Sequence, residues 1–211
     1  MQEPTLVINT EGITPSLAPQ YDPTDIVNID TTAHMVKKGK LLTVYGDGPV
    51  LSTISAPFNF EHPQTDPIEL AESLHMTMKK YGGVGLAAIQ CNIPLRVIVL
   101  DCDIVCFNPR IIAVSDEPSR EKEGCLSFPG LFIPVTRPME VNLTWQDAKG
   151  IQYEQTFTGL TARVILHELD HLDGIVFTQH VGNLTLQMAK KKKQKMMKKI
   201  QRHLNRQMSM R

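Results

Sequence analysis

Residues 164–174 read Val-Ile-Leu-His-Glu-Leu-Asp-His-Leu-Asp-Gly and contain His167-Glu168-Leu169-Asp170-His171, an H-E-x-x-H. On a helix, His167 and His171 stand one turn apart on one face, so both imidazoles reach a single metal ion. Glu168 follows the first ligand and can reach a water beside that ion. Ile165, Leu169 and Leu172 recur at helical spacing and turn the opposite face to a core. Gly174 stops the helix just past its last apolar residue. The same string also suits a core helix whose histidines only pack, so the rest of the chain has to decide.

Two histidines leave a metal short of the three protein ligands of an open catalytic site. Downstream, Asp173 is too close in sequence to reach round, His203 lies in a basic tail, and His180 has no supporting pattern. Upstream, Glu123-Gly124-Cys125-Leu126-Ser127-Phe128-Pro129-Gly130 sets a cysteine on irregular, glycine-flanked backbone. A thiolate there is a strong donor; the other reading of Cys125 is a small buried residue. Cys102-x3-Cys106 lies in an apolar, strand-like run without a matching pair and reads as packing. A third segment, Gly82-Gly83-Val84-Gly85-Leu86-Ala87-Ala88-Ile89-Gln90, fits neither nucleotide fingerprint. Its glycines permit close backbone approach, and the Gln90 amide can donate to an oxygen without adding charge. It also suits a packed turn between helix and strand.

Together, in this order and spacing, the three segments resemble peptide deformylase. Gly83 to Gln90 matches that family's G-φ-G-φ-A-A-x-Q, Glu123 to Ser127 its E-G-C-L-S, and His167 to His171 its H-E-x-D-H. The likeness runs from about Leu41 to Phe177. It implies that Cys125, His167 and His171 hold one divalent metal ion, iron(II) natively, with zinc, nickel or cobalt also compatible. It implies Glu168 as general base and then acid. Gln90 and the backbone N–H of Leu126 become donors to the carbonyl oxygen, and Glu123 a support behind the ligands. Gly85 takes the substrate backbone, while Val84, Leu160 and Val164 line a methionine pocket. The implied substrate is a nascent N-formylmethionyl polypeptide and the product formate. The chain departs from the pattern at Leu166, where many members have Gln, and at Asn92, where glycine is common. None of the ligands is affected.

Around these motifs the pattern predicts an α+β fold, with mainly antiparallel β-sheets packed round the central metal-binding helix. Leu41–Tyr45 reads as a short strand. Asp66-Pro67 opens a helix with a stripe of Ile68, Ala71, Leu74 or His75, and Met78, ended by Gly82-Gly83. Arg96 to Leu100 is a buried strand, and Ile104 to Phe107 another, stopped by Asn108-Pro109 before Ile111 to Val114 resumes the sheet. Glu140 to Gln146 and Ile151 to Phe157 form a hairpin across Asp147–Gly150.

The division expected is an irregular N-terminal extension (1–35), a catalytic domain (36–182) and a basic C-terminal helix (183–211). The extension has five acids and no Lys or Arg before Lys37, unlike a transit peptide. From Lys190 to Arg211 there are ten Lys or Arg and no acid; the remainder has twelve basic against 22 acidic residues. A neutral chain thus divides into an acidic body and a tail of charge +10. Met196, Ile200, Leu204 and Met208 give the tail a narrow apolar seam. That seam suits either a solvated helix docked on the body or a phosphate-binding one. The family resemblance implies docking on the ribosome through such a helix. No apolar run is long enough for a membrane span, and with no secretory signal visible a cytoplasmic location is the default. Two other classes compete: an H-E-x-x-H peptidase, which lacks its downstream ligand here, and a non-enzymatic RNA-binding protein, which needs neither Glu168 nor Cys125.

Overall fold

In the computed structural model, which describes residues 13–15 and 39–208, the expected α+β architecture is present. Two antiparallel sheets carry most of the body. The larger has the order β2 (Gly85–Ala87), β3 (Val97–Leu100), β4 (Val105–Ser115), β7 (Glu140–Gln146), β8 (Gln152–Thr158), with β1 (Ile13–Pro15) added to β4. The smaller pairs β5 (Pro118–Gly124) with β6 (Phe132–Pro138). Three helices, α1 (Pro67–Lys80), α2 (Gly159–Leu172) and α3 (Asn183–Met208), complete the fold.

The apolar run in β3 has a simple cause: both faces of the strand are covered. Val97 and Val99 pack with Leu70, Leu74 and Met78 of α1. Ile98 and Leu100, on the other face, pack with Ile165, Leu169 and Leu172 of α2. α2 is therefore held against the larger sheet by its apolar stripe, leaving its other face for chemistry. A third cluster joins Phe128, Leu131, Ile133 and Val135 to Phe177, with Leu186 and Ala189 of α3 resting on it.

Several termini follow their local signals. Asp66 caps α1, its carboxylate accepting from Ile68 N and Glu69 N at 2.9 Å. Asp147 closes the β7–β8 turn by accepting from Lys149 N and Ile151 N. Gly174 ends α2 at φ +71°, where an added Cβ would lie 2.8 Å from the Ser52 carbonyl oxygen.

Other expectations need correction. Among the described residues Leu41–Tyr45 pairs with no strand; Leu42 N donates instead to Thr77 Oγ1 and Tyr45 N to the Gln90 carbonyl. Asn108-Pro109 does not stop the second buried strand, because β4 absorbs it as a bulge between Phe107 and Arg110. Asn108 sits there at φ +51° and satisfies itself on Phe58 N, the Phe58 carbonyl and Gln146. Ile68 is half exposed, its place in the α1 stripe taken by Leu70. Cys106 is buried as expected of packing, but Cys102 is exposed in the β3–β4 turn. Ile13–Pro15 forms β1 within a stretch read as irregular; the rest of the 1–35 extension lies outside the described residues, as do the side chains of Leu204 and Met208 in the tail seam. α3 begins at Asn183, about two turns before the basic run.

Candidate metal centre and active site

β5 ends at Gly124 and delivers Cys125 on irregular backbone; α2 delivers His167 and His171. One ligand atom from each of these three lies within 4.8 Å of the others, the only such His/Cys/Asp/Glu cluster among the described residues. Cys125 Sγ is 3.2 Å from His171 Nε2. A sulfur and two imidazoles at this separation fit one tetrahedral, N/S-preferring divalent ion with a position left open.

Burial holds the His171 ring neutral, its pKa depressed to about 3, with the neighbouring His167 adding to the effect. At His167 burial pushes the same way, but hydrogen bonds to Cys125 and Glu123 outweigh it and lift the pKa to about 10. A cation at this point would displace that proton, because only the neutral ring is a ligand.

Glu123 stands behind His167, its Oε2 3.0 Å from Nδ1. That contact fixes the ring and leaves Nε2 to face the centre. The carboxylate is anchored in turn by Arg137, at 2.9 Å to Oε1 and 3.0 Å to Oε2, and by Arg163 at 2.7 Å. Burial would raise the Glu123 pKa, yet His167 and Arg137 override it and bring it to about 2. Arg137 also binds Asp170 at 2.7 Å, and His180 reaches the same Asp170 oxygen at 2.6 Å. Sequence reading missed Arg137 and Arg163, and weighed His180 only as a ligand, not as a partner of Asp170. Lone basic residues in a strand, a helix and a turn carry no local signal of a shared partner.

Glu168 is fully enclosed, and burial is the main reason its pKa rises to about 7. Its Oε2 is buried without a hydrogen-bond partner among the described residues. Across from it, Gln90 is fixed by Ala87 N donating to its Oε1 at 2.9 Å. Its amide nitrogen therefore points at Ser127 Oγ (3.2 Å) and Cys125 Sγ (3.5 Å). The glycine stretch is a short edge strand, β2, running into a 3-10 turn at Ala88–Cys91, rather than a simple loop. A Cβ at Gly85 would lie 2.6 Å from both Glu168 Oε1 and Val164 Cγ1, so a larger residue there would have to displace one of them.

Several of these groups open on one cavity of about 480 Å³. Gln90, Cys125, Leu126, His167 and Glu168 line it with Val84, Gly85, Leu160 and Val164. Val84 and Leu160 stand exposed at its mouth, whereas Val164 sits deeper, against Gly85.

The family model described as polypeptide deformylase matches residues 40–187, the stretch that holds every group in this cavity. The chain belongs to the polypeptide deformylase family. Among its relatives, a peptide deformylase of Novosphingobium aromaticivorans is 36% identical over 177 residues, covering 71% of this chain and 93% of that one. One of Bartonella tribocorum is 38% identical, covering 68% and 85%. Among solved structures, a Met-Ala-Ser-bound class I type b peptide deformylase from Acinetobacter baumannii aligns with TM-score 0.63 at 32% identity, over 67% of this chain and 99% of that one. The Thermotoga maritima peptide deformylase gives 0.64 at 31%, over 68% and 99%. As a deformylase this chain is a hydrolase that removes the N-terminal formyl group from N-formylmethionyl nascent polypeptides and releases formate. It works with a metal cofactor, for which Cys125, His167 and His171 form a fitting site. No helix among the described residues is long and apolar enough to cross a membrane.

Proposed function

We propose that Cys125, His167 and His171 hold the deformylase metal, natively iron(II), and that Glu168 moves the proton of the reaction. The observation that carries this reading is the clustering of one sulfur and two imidazoles within 4.8 Å, with Cys125, His167 and the unpartnered buried carboxylate of Glu168 lining a single cavity. Bound there, a divalent ion supplies Lewis acidity, making water a nucleophile near neutral pH and polarising the formyl carbonyl. Glu168, with its pKa near 7, accepts a proton from the attacking water as the new C–O bond forms. The Gln90 amide and the Leu126 N–H donate to the formyl oxygen as it gains charge. Glu168 then returns the proton to the amine nitrogen as the C–N bond breaks, leaving formate and a free amino terminus. Glu123 keeps the His167 ring oriented. The substrate backbone lies along Gly85, and the methionine side chain enters past Val84 and Leu160 toward Val164. Iron(II) is favoured over zinc, nickel and cobalt by family likeness, since the donor set itself suits all four.

Anaerobically purified protein should release formate from formyl-Met-Ala-Ser and hold about one metal ion per chain, iron giving the highest turnover on reconstitution. Formate release unchanged after complete metal removal would sink this reading.

The chain reads as a catalytic domain (36–182) between the extension (1–35) and the helical tail (183–211), working in the cytoplasm. α3 supports a ribosomal contact: Leu186 and Ala189 rest on the body, while its lysine-rich remainder is largely exposed. Deleting residues after Gly182 should weaken ribosome binding steeply at low salt, each lost phosphate contact reducing the salt dependence by about one unit of slope. Sedimentation with ribosomes across a salt series measures this, and an unaltered binding curve would retire the idea.

A further inference from the structure

The alternation of β6 explains why Phe132 stands out. Ile133, Val135 and Arg137 point inward and are buried; the opposite phase, Phe132 and Thr136, faces out. An outward phase ordinarily takes polar residues, yet Phe132 is an aromatic ring left 59% exposed. Its position is set by its cross-strand partner Gly124. A Cβ at Gly124 would lie 2.7 Å from Phe132 Cε1, so the ring lies over the backbone one residue before Cys125. The ring lines the catalytic cavity, as do two other large, exposed side chains, Leu160 at 69% and Tyr81 at 49%. These come from three separate elements: Phe132 from β6, Leu160 from the start of α2, Tyr81 from the end of α1. Among the described residues, the only exposed cation lining the same cavity is Lys122, and no exposed carboxylate lines it. Large apolar groups gathered at the mouth of a site, with polar groups behind them, mark a surface that is covered when the ligand binds.

We infer that Phe132, which lines the cavity together with Leu160 and Tyr81, is a specificity-determining residue that favours a large apolar side chain at one of the two positions following the formylmethionine. This rests on the function proposed above, because it assumes that the peptide leaves the cavity past this rim. The methionine occupies the inner part, so the next residues are the ones that meet the rim. An aromatic or branched side chain there covers the Phe132 ring and removes both apolar surfaces from water. A serine or aspartate gains nothing comparable.

Initial rates of formate release from formyl-Met-Phe-Ser, formyl-Met-Ser-Phe and formyl-Met-Ser-Ser test this in the full chain. The parent should favour one phenylalanine peptide over the all-serine peptide by about tenfold in kcat/KM, mostly through KM. Phe132→Ser should reduce that ratio to within about twofold, and Phe132→Leu should retain an intermediate ratio. The ratio cancels any loss common to all substrates, so a general effect of the substitution does not imitate the result. A parent that treats the three peptides alike, or a Phe132→Ser variant with the parent's ratio, overturns this inference and leaves the proposed function standing. Formate release from none of the three overturns both.

Discussion

Glu168→Gln should lower turnover on formylated peptides by about 10²- to 10⁴-fold, the range associated with loss of a general acid–base group. Metal content should stay at the parent level, because the side chain is not among the three clustered donors. The substitution keeps shape and hydrogen-bonding capacity but cannot accept a proton. Gly85 is packed so tightly on Glu168 Oε1 that a near-isosteric amide is the fairest replacement. The fall should appear in kcat, since the group acts on the proton in flight rather than on the bound peptide. Single-turnover formate release alongside elemental analysis measures both quantities. A metal-replete Glu168→Gln protein working at the parent rate would remove Glu168 from its assigned role.

Arg137→Met should destabilise the fold by about 3–5 kcal/mol, the usual cost of breaking a buried ion pair from one side. Arg137 and Glu123 are about 95% buried, and the guanidinium serves both Glu123 and Asp170. Removing it leaves Glu123 with Arg163 and His167, and Asp170 with His180 alone. The stability loss is read from urea unfolding at constant slope. Pairing it with Asp170→Asn should recover part of the loss, because the carboxylate that has lost its guanidinium partner is then gone. A loss below about 1 kcal/mol would show that the network is dispensable.

Much of this molecule was legible because its signals are local. The i, i+4 histidines, the Asp66 cap, the alternation of β7 and the doubly covered β3 each follow from a few neighbouring residues. Cys125 and Gln90 were legible as chemistry, from unusual backbone around them, although their meeting point depends on tertiary packing. What escaped was non-local. In the β5–β6 hairpin five of the seven cross-strand pairs contain a charged residue, and β5 shows no apolar phase, because its inward Glu123 is neutralised by Arg137 across the sheet. Leu41–Tyr45 has strand composition, but its backbone donors are claimed by Thr77 and Gln90. Asn108-Pro109 has the composition of a stop, and the Asn108 side chain turns it into a bulge by replacing lost ladder bonds.

The donors come from structures built independently: the sulfur from the end of the two-stranded sheet, the imidazoles from a helix seated on the larger one. An ion shared by Cys125, His167 and His171 would therefore also be a clasp, tying together chain segments up to 46 positions apart. Its affinity would accrue to folding as well as to turnover, and a cell short of the metal would hold less of this protein in its native state, not merely a less active form of it.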